Sequence, residues 1–394
     1  MDAIECLGMQ ENVPVTCFQH GLYGEDCVGK KILMLGNSHL VIFGFRGELI
    51  ERLVRDGYEV IVAFPNGPFG EGEKTSKDYN CKFVEIPINR RGKNPIQELL
   101  LLRKYYKVIN DILPDVVLSY TVKCDTYGGI VCSHLGIPFI PNITGLGKGL
   151  AEGGLTRTIT TELYKRAVKN AECVFFQNEQ DKKFFELSKI NFSHSVILPG
   201  SGVNLEKFIP LPYPLGERII FTYIARVMKA KGIDQFLDAA KVIKDEFPNT
   251  QFHICGYCEE DYRSIINEAV DKGIVVYHGL VKNIVEIEQM SSCIVLPSFH
   301  PEGVSNVLLE AAASARPVIT TDRPGCRDAV DDGISGFSIK ERSSEDLIDK
   351  IRKFIALPID KRIQMGLAGR KKMEREFDRQ IVVDAYLREI EKAI

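Results

Sequence analysis

The sequence predicts an α/β protein made of two parallel, doubly wound domains that face a cleft. Strand-like apolar runs alternate with amphipathic, helix-like stretches along nearly all of the 394 residues. The alternation falls into two series, separated by a Pro-rich segment at 199–216. The length also exceeds one typical core and suits two.

In the first series, residues 31–35 read as a buried strand, 44–55 as a helix closed by Gly57, and 58–64 as the next strand. Strands at 116–119, 139–141 and 173–177 continue it. The second series places strands at 219–225, 252–255, 275–277, 293–296 and 318–321, with an amphipathic helix at 232–246 and two helices between 359 and 394. The expected division is a domain over 30–200, a linker over 201–216 and a second domain over 217–375. A C-terminal helix over 376–394 is expected to pack back on the first domain. Residues 1–29 fit neither series and stand as an N-terminal extension with no role assigned.

Composition narrows the function classes. No apolar run approaches ~18 residues, so no membrane span is expected. The first 29 residues lack the charged-then-apolar order of a secretory signal. Eleven cysteines are present, yet Cys255 and Cys258 form a lone C-x-x-C without a second pair, so no metal site is expected. Cys124, Cys132, Cys173 and Cys293 lie in apolar stretches, where a thiol packs as a small hydrophobe. A reducing cytoplasm is the simplest setting. The net charge of −3 hides an asymmetry: −5 over 1–29, +5 over 30–200 and −3 over 201–394. Such a split suggests surfaces with different partners. No nucleic-acid partner is expected.

In doubly wound folds, ligands sit beyond the carboxyl ends of the strands. Two segments there carry chemistry. The run from Pro301 through Glu302, Gly303, Val304, Ser305 and Asn306 to Glu310 follows the strand at 293–296. Ser305 or Asn306 is a suitable N-cap, and a helix start offers free N–H groups to an anion. Glu302 and Glu310 then flank one anion site, where they would accept hydrogen bonds from sugar hydroxyls. A capping acid plus a solvated helical Glu gives the same letters. Arg226 and Lys231 lie in the loop after the strand at 219–225, where they would neutralise a diphosphate leaving group. An ordinary basic loop remains the alternative.

Taken together, the two segments resemble the retaining glycosyltransferases of family 4, which have the GT-B architecture of two Rossmann-like domains. The resemblance rests on two Glu separated by seven residues, with an Arg and a Lys upstream. It covers roughly residues 30–394 and includes 199–204 and the run Gly325-Cys326-Arg327-Asp328 through Asp332-Gly333 to Gly336-Phe337. It implies that Arg226 and Lys231 hold the donor diphosphate, Glu302 contacts the transferred sugar and Glu310 holds the ribose. Gly303, Val304, Ser305 and Asn306 would lie beneath the sugar and diphosphate. Gly256 and Leu280 complete the implied donor-binding set.

The N-terminal half resembles the subgroup that adds GalNAc or galactose to polyprenyl-diphosphate-linked glycans or capsule precursors. That likeness rests on Thr121-Val122-Lys123 with Tyr127-Gly128, and on Ile143-Thr144-Gly145-Leu146-Gly147. It implies a UDP-sugar donor, a glycan or lipid-linked acceptor and no metal cofactor. Gly44, Lys123, Thr144 and Gly145 are the implied acceptor-side residues. Many family members have a cleft His near the first segment; none occurs there, and Lys123 is the polar candidate instead. Gly36 and Gly44 do not complete a G-x-G-x-x-G, which weakens a dinucleotide reading. Arg90, Arg91 and Lys93 precede a helix rich in Leu, Tyr and basic residues. It fits either contact with an anionic bilayer or a core helix with a solvated basic face. Two rival functions stay open: a UDP-sugar 2-epimerase on the same architecture, and a non-catalytic nucleotide-sugar-binding partner.

Overall fold

The computed structural model describes residues 29–67, 70–89, 92, 94–147, 150, 153–301 and 303–394. Of the expected extension only Gly29 falls among them, and Arg90, Arg91, Lys93 and Glu302 lie outside.

The first domain contains β1 (Lys31–Leu35), α1 (Phe45–Arg55), β2 (Glu59–Phe64), α2 (Glu71–Asp78), β3 (Lys82–Glu85) and α3 (Pro95–Ile112). It continues with β4 (Val116–Tyr120), α4 (Gly129–Leu135), β5 (Phe139–Ile143), α5 (Gly154–Ala167), β6 (Val174–Phe176), α6 (Glu179–Leu187) and β7 (Ser195–Ile197). Among the described residues these strands form one parallel sheet in the order β3-β2-β1-β4-β5-β6-β7. The second domain contains β8 (Ile219–Ile224), α7 (Ile233–Glu246), β9 (Thr250–Cys255), α8 (Arg263–Asp271), β10 (Val276–Gly279), α9 (Ile284–Met290) and β11 (Cys293–Leu296). It ends with α10 (Asn306–Ala313), β12 (Val318–Thr321), β13 (Gly336–Ile339), α11 (Ser344–Ala356) and α12 (Ile359–Lys372). Its sheet runs β10-β9-β8-β11-β12-β13, again parallel.

Both sheets reverse direction beside their first strand, between β1 and β4 and between β8 and β11. The crevice at such a switch point is where a doubly wound sheet binds ligands. Strands β1, β4 and β11 are almost wholly apolar and buried, interrupted only by Lys31 at the start of β1 and by buried Ser119 in β4, because helices cover both faces. The sequence reading had no strands at β3, β7 or β13. All three are sheet edges, and β3 and β7 hold no fully buried residue, so no apolar run marks them.

Two further features position the cleft. Arg316, fully buried, donates to the carbonyls of Leu211 and Pro212 at 3.1 and 2.6 Å, fastening the linker beneath the second domain. The last helix, α13 (Arg379–Ala393), crosses back to the first sheet. Its Val382, Val383, Tyr386, Leu387 and Ile390 join the core formed by β1, β2 and α1, and Asn142 donates to the Tyr386 hydroxyl at 2.7 Å. Where α13 begins, Arg379 Nη1 donates to both carboxylate oxygens of Glu48 on α1, each at 2.9 Å. Its Nη2 donates to the Gly202 carbonyl at 3.1 Å, and Asn204 donates to Glu48 at 2.6 Å. Burial alone would raise the Glu48 carboxyl, but the Arg379 charge and hydrogen bonds hold it below its ordinary value. No helix among the described residues is long and apolar enough to cross a membrane.

Because the pair is largely buried, removing one partner strands the other charge. Glu48→Gln is expected to cost about 3 kcal/mol in urea unfolding, and the double variant with Arg379→Met to cost less than the sum of the singles. Strict additivity would show that the two residues do not act as a pair.

Candidate functional site

On the second domain the site begins where β8 ends. Arg226 follows it directly, and a short 3-10 turn, Lys229–Lys231, brings the chain round to α7. Gly232 closes that turn with φ 79°, and a Cβ there would lie 2.1 Å from the Pro297 carbonyl oxygen. Only glycine permits this approach, which lays the Lys231 turn against the loop after β11. Phe299 N–H donates to the Ala230 carbonyl at 2.9 Å and locks the two loops together. Lys231 is almost wholly buried, whereas Arg226 is half-exposed and pairs with Glu259 at 3.2 Å.

The loop after β11 leads into α10. Ser305 occupies the N-cap position with extended backbone angles but makes no side-chain cap. Its N–H donates to the Gly325 carbonyl at 2.9 Å, and its carbonyl accepts from Leu308 and Leu309. The first turn of such a helix leaves N–H groups without intrahelical partners, favourable to an anion. Glu310 lies one turn further on, half-buried. Burial pushes its carboxyl up to about 7, while the charges of Lys207 and Arg379 pull the other way.

The first domain supplies the opposite wall. Gln177 and Asn178 follow β6, and Asn178 donates to the Gly303 carbonyl at 3.3 Å across the domains. A Cβ on Gly303 would come 2.1 Å from Gln177 Oε1 and 2.9 Å from its Cβ, so the Gln177 side chain would have to shift where the two domains touch. Between the walls lies a cavity of about 250 Å³. Its lining joins Arg226, Lys231, Gly303, Val304 and Asn306 to Thr144, all singled out in the sequence.

Other expected residues fall elsewhere. Lys123 does not line this cavity: its ammonium donates to Glu98 at 2.5 Å and to the carbonyls of Asn89 and Gly92 at 2.8 and 2.9 Å. A nearby carboxylate and two carbonyls thus take up all three of its donors. Leu280 is 75% exposed and also lies outside the cavity lining. Gly256 lies behind the Arg226 loop, where a Cβ would meet the Ala225 carbonyl oxygen at 1.8 Å. Gly44 closes a π-helical turn, Leu40–Gly44, and its carbonyl accepts from Arg379 at 3.4 Å. Gly145 follows Thr144 with φ 129°.

Sequence reasoning missed Arg46, Gln177 and His300, which also line the cavity. Gln177 ends the expected strand at 173–177 and was legible on that ground; Arg46 sits inside an apolar stretch and was not. Away from the cleft, Cys173, His194 and Glu389 offer ligand atoms within 4.8 Å of one another. Glu389 there already pairs with His194 at 3.2 Å and Lys392 at 2.7 Å. The cysteines among the described residues are free, Cys255 and Cys258 included.

Residues 31–178 match the family described as Glycosyl transferase 4-like, and residues 212–372 match Glycosyl transferases group 1. The chain is a glycosyltransferase of the GT-B type. Among solved structures, a glycosyltransferase from Rickettsia africae superposes with a TM-score of 0.74 at 17% identity, covering 93% of this chain and 98% of that one. Anabaena Alr3699/HepE in complex with UDP and glucose gives 0.74 at 16% identity, covering 93% and 100%. Among curated relatives, this glycosyltransferase is 25% identical to the N,N'-diacetylbacillosaminyl-diphospho-undecaprenol alpha-1,3-N-acetylgalactosaminyltransferase of Campylobacter jejuni, over 92% of this chain and 99% of the relative. It is 29% identical to the capsular polysaccharide biosynthesis glycosyltransferase CapM of Staphylococcus aureus, over 86% and 90%.

The raised Glu310 carboxyl has a sign that can be tested. Between the ordinary carboxyl range and about 7 the native state keeps a proton that the unfolded chain has lost. That contribution is full at lower pH and disappears as pH rises through about 7. Relative to Glu310→Gln, the wild type is expected to lose on the order of 1–3 kcal/mol between about pH 5 and 8. Parallel stability profiles for the two proteins would show that Glu310 is not desolvated.

Proposed function

We propose that this glycosyltransferase moves a hexose, GalNAc or galactose, from a UDP-sugar to a polyprenyl-diphosphate-linked or capsule-precursor glycan, with retention of configuration. The observation that carries the reading is the lining of the interdomain cavity. Arg226, Lys231 and the start of α10 converge there from the second domain, opposite Thr144 and Gln177 from the first. The named relatives support the acceptor and sugar class, one by its lipid-diphosphate GalNAc transfer and one by its capsule role. A solved neighbour holding UDP and glucose supports the donor.

In this reading the diphosphate lies between Arg226, Lys231 and the N–H groups that open α10. These fixed charges and dipoles stabilise the departing UDP without reorganising and without a metal cofactor. The acceptor hydroxyl attacks the anomeric carbon from the face that UDP leaves. The bond from that carbon to the phosphate oxygen breaks as the new glycosidic bond forms, and the hydroxyl proton passes to the departing phosphate oxygen. Glu302 contacts the transferred ring, and Glu310 holds the ribose hydroxyls.

Transfer of labelled sugar from UDP-sugars to polyprenyl-diphosphate glycans tests the reaction, and two variants separate the roles. An interaction strengthened in the transition state sets kcat, so Glu302→Gln should lose on the order of 10²-fold in kcat. Glu310→Gln should mainly raise the donor KM. Near-wild-type kinetics for both would remove the carboxylates from the site.

The reading also places the enzyme at the cytoplasmic face of a membrane. Helix α3 buries Leu101, Tyr105, Val108 and Ile109 in the core, yet its other side exposes Ile96, Leu99 and Leu100 beside Arg103, Lys104 and Lys107. Leu155 and Ile159 on α5 are also exposed, on the same side of the sheet. Such a surface suits peripheral contact with anionic lipid. Sedimentation with anionic vesicles is expected to exceed that with neutral ones and to weaken with salt. Equal sedimentation with both would contradict this contact.

A further inference from the structure

Arg46 is the second residue of α1 and is only 2% exposed, yet it lines the interdomain cavity. Its Nη1 donates to the Phe45 carbonyl at 2.8 Å, and its guanidinium carbon lies 4.7 Å from the centre of the Tyr120 ring. Its Nε has no hydrogen-bond partner, and no carboxylate among the described residues forms an ion pair with it. A buried cation without a counter-charge is costly, so its place in the fold calls for an anion supplied from outside.

A second donor points the same way. Gln177 is 5% exposed, lines the same cavity and leaves its Nε2 amide without a partner. Thr121 and Thr144 add hydroxyls to this wall, and the described lining contains no carboxylate. Thr121 also holds φ at 84°. A β-branched residue adopts that angle only when its surroundings impose it, and such strain collects at ligand sites. Arg226 and Lys231 lie on the opposite domain, where the proposed function assigns them to the donor.

We propose that Arg46 and Gln177 form a second oxyanion subsite, on the first-domain wall of the cleft, that binds a phosphate oxygen of a substrate. It rests on the proposed function for the identity of that substrate, but not for the subsite itself. Two sources share the chemistry: the diphosphate that links an acceptor glycan to its lipid, and the diphosphate of the nucleotide sugar. Placement across the cleft from Arg226 and Lys231 favours the acceptor.

The test uses the full chain with two acceptors bearing the same sugar, one on a diphosphate and one on a neutral aglycone. Arg46→Gln is expected to lower kcat/KM for the diphosphate acceptor about 10- to 100-fold while sparing the neutral one. UDP affinity should stay unchanged, and Arg46→Lys should recover part of the preference. A fall in UDP affinity with the acceptor preference intact would assign the same subsite to the donor. An unchanged preference and unchanged UDP affinity would overturn the subsite. A second measurement needs neither a variant nor transferase activity: inorganic pyrophosphate added to wild-type protein saturated with UDP. A further rise in Tm is expected, and no rise would overturn the proposal even if Arg46→Gln fails to fold. A rise without sugar transfer would keep the subsite and reject the assigned reaction.

Discussion

The guanidinium of Arg379 sits where three parts of the chain meet, and the cleft depends on that junction. It holds Glu48 from the first domain and the Gly202 carbonyl from the linker, and it opens the helix that crosses back to the first sheet. Charge-assisted hydrogen bonds of this kind are short and strong, and the two nitrogens of one planar group fix Glu48 and the Gly202 carbonyl relative to each other. With Asn204 bonded to the same carboxylate, the linker cannot shift without breaking charge-assisted hydrogen bonds. Tyr386 and its neighbours then bury the rest of α13 against the first sheet. The two switch points are thereby held face to face, and the facing loops become one site.

The chemistry of that site follows from what the walls contain. Buried Lys231 and Arg46, together with the more exposed Arg226, line the cavity and place positive charge on its two walls. Electrostatic interactions strengthen as a side chain loses contact with water, so in the proposed reaction the buried cations would act on a phosphate more strongly than surface cations. The close contacts at Gly232 and Gly303 are what let the loops approach without filling the cavity. Glu310, raised by its burial, feels the charges of Lys207 and Arg379, and its carboxylate is costly until a ligand bonds to it.

Much of this was legible in the sequence because the fold writes itself in hydrophobic periods. Buried parallel strands appear as short apolar runs, and β1, β11 and β12 were readable to within a residue. Edge strands were not, since β3 and β7 present half-covered faces whose composition resembles a loop. Residues placed by strand ends, such as Arg226 and Gln177, can be found by position alone. Lys123 shows the limit of that rule: it follows β4, but its charge is taken up by Glu98, 25 residues earlier in the chain. Arg46 shows the converse, because only the tertiary packing leaves a guanidinium buried without a carboxylate. The turns around Leu40–Gly44 and Cys124–Gly128 are π-helical, a local widening that apolar periodicity does not encode.

The central claim is that one nucleotide diphosphate is held between the loop after β8 and the start of α10, facing the first domain. Amide hydrogen exchange with and without UDP tests it without assuming any acceptor. Exchange is expected to slow at 226–232 and 303–308, with weaker protection at 177–178 across the cleft. Protection confined to any other surface, with these amides unchanged, would contradict the account.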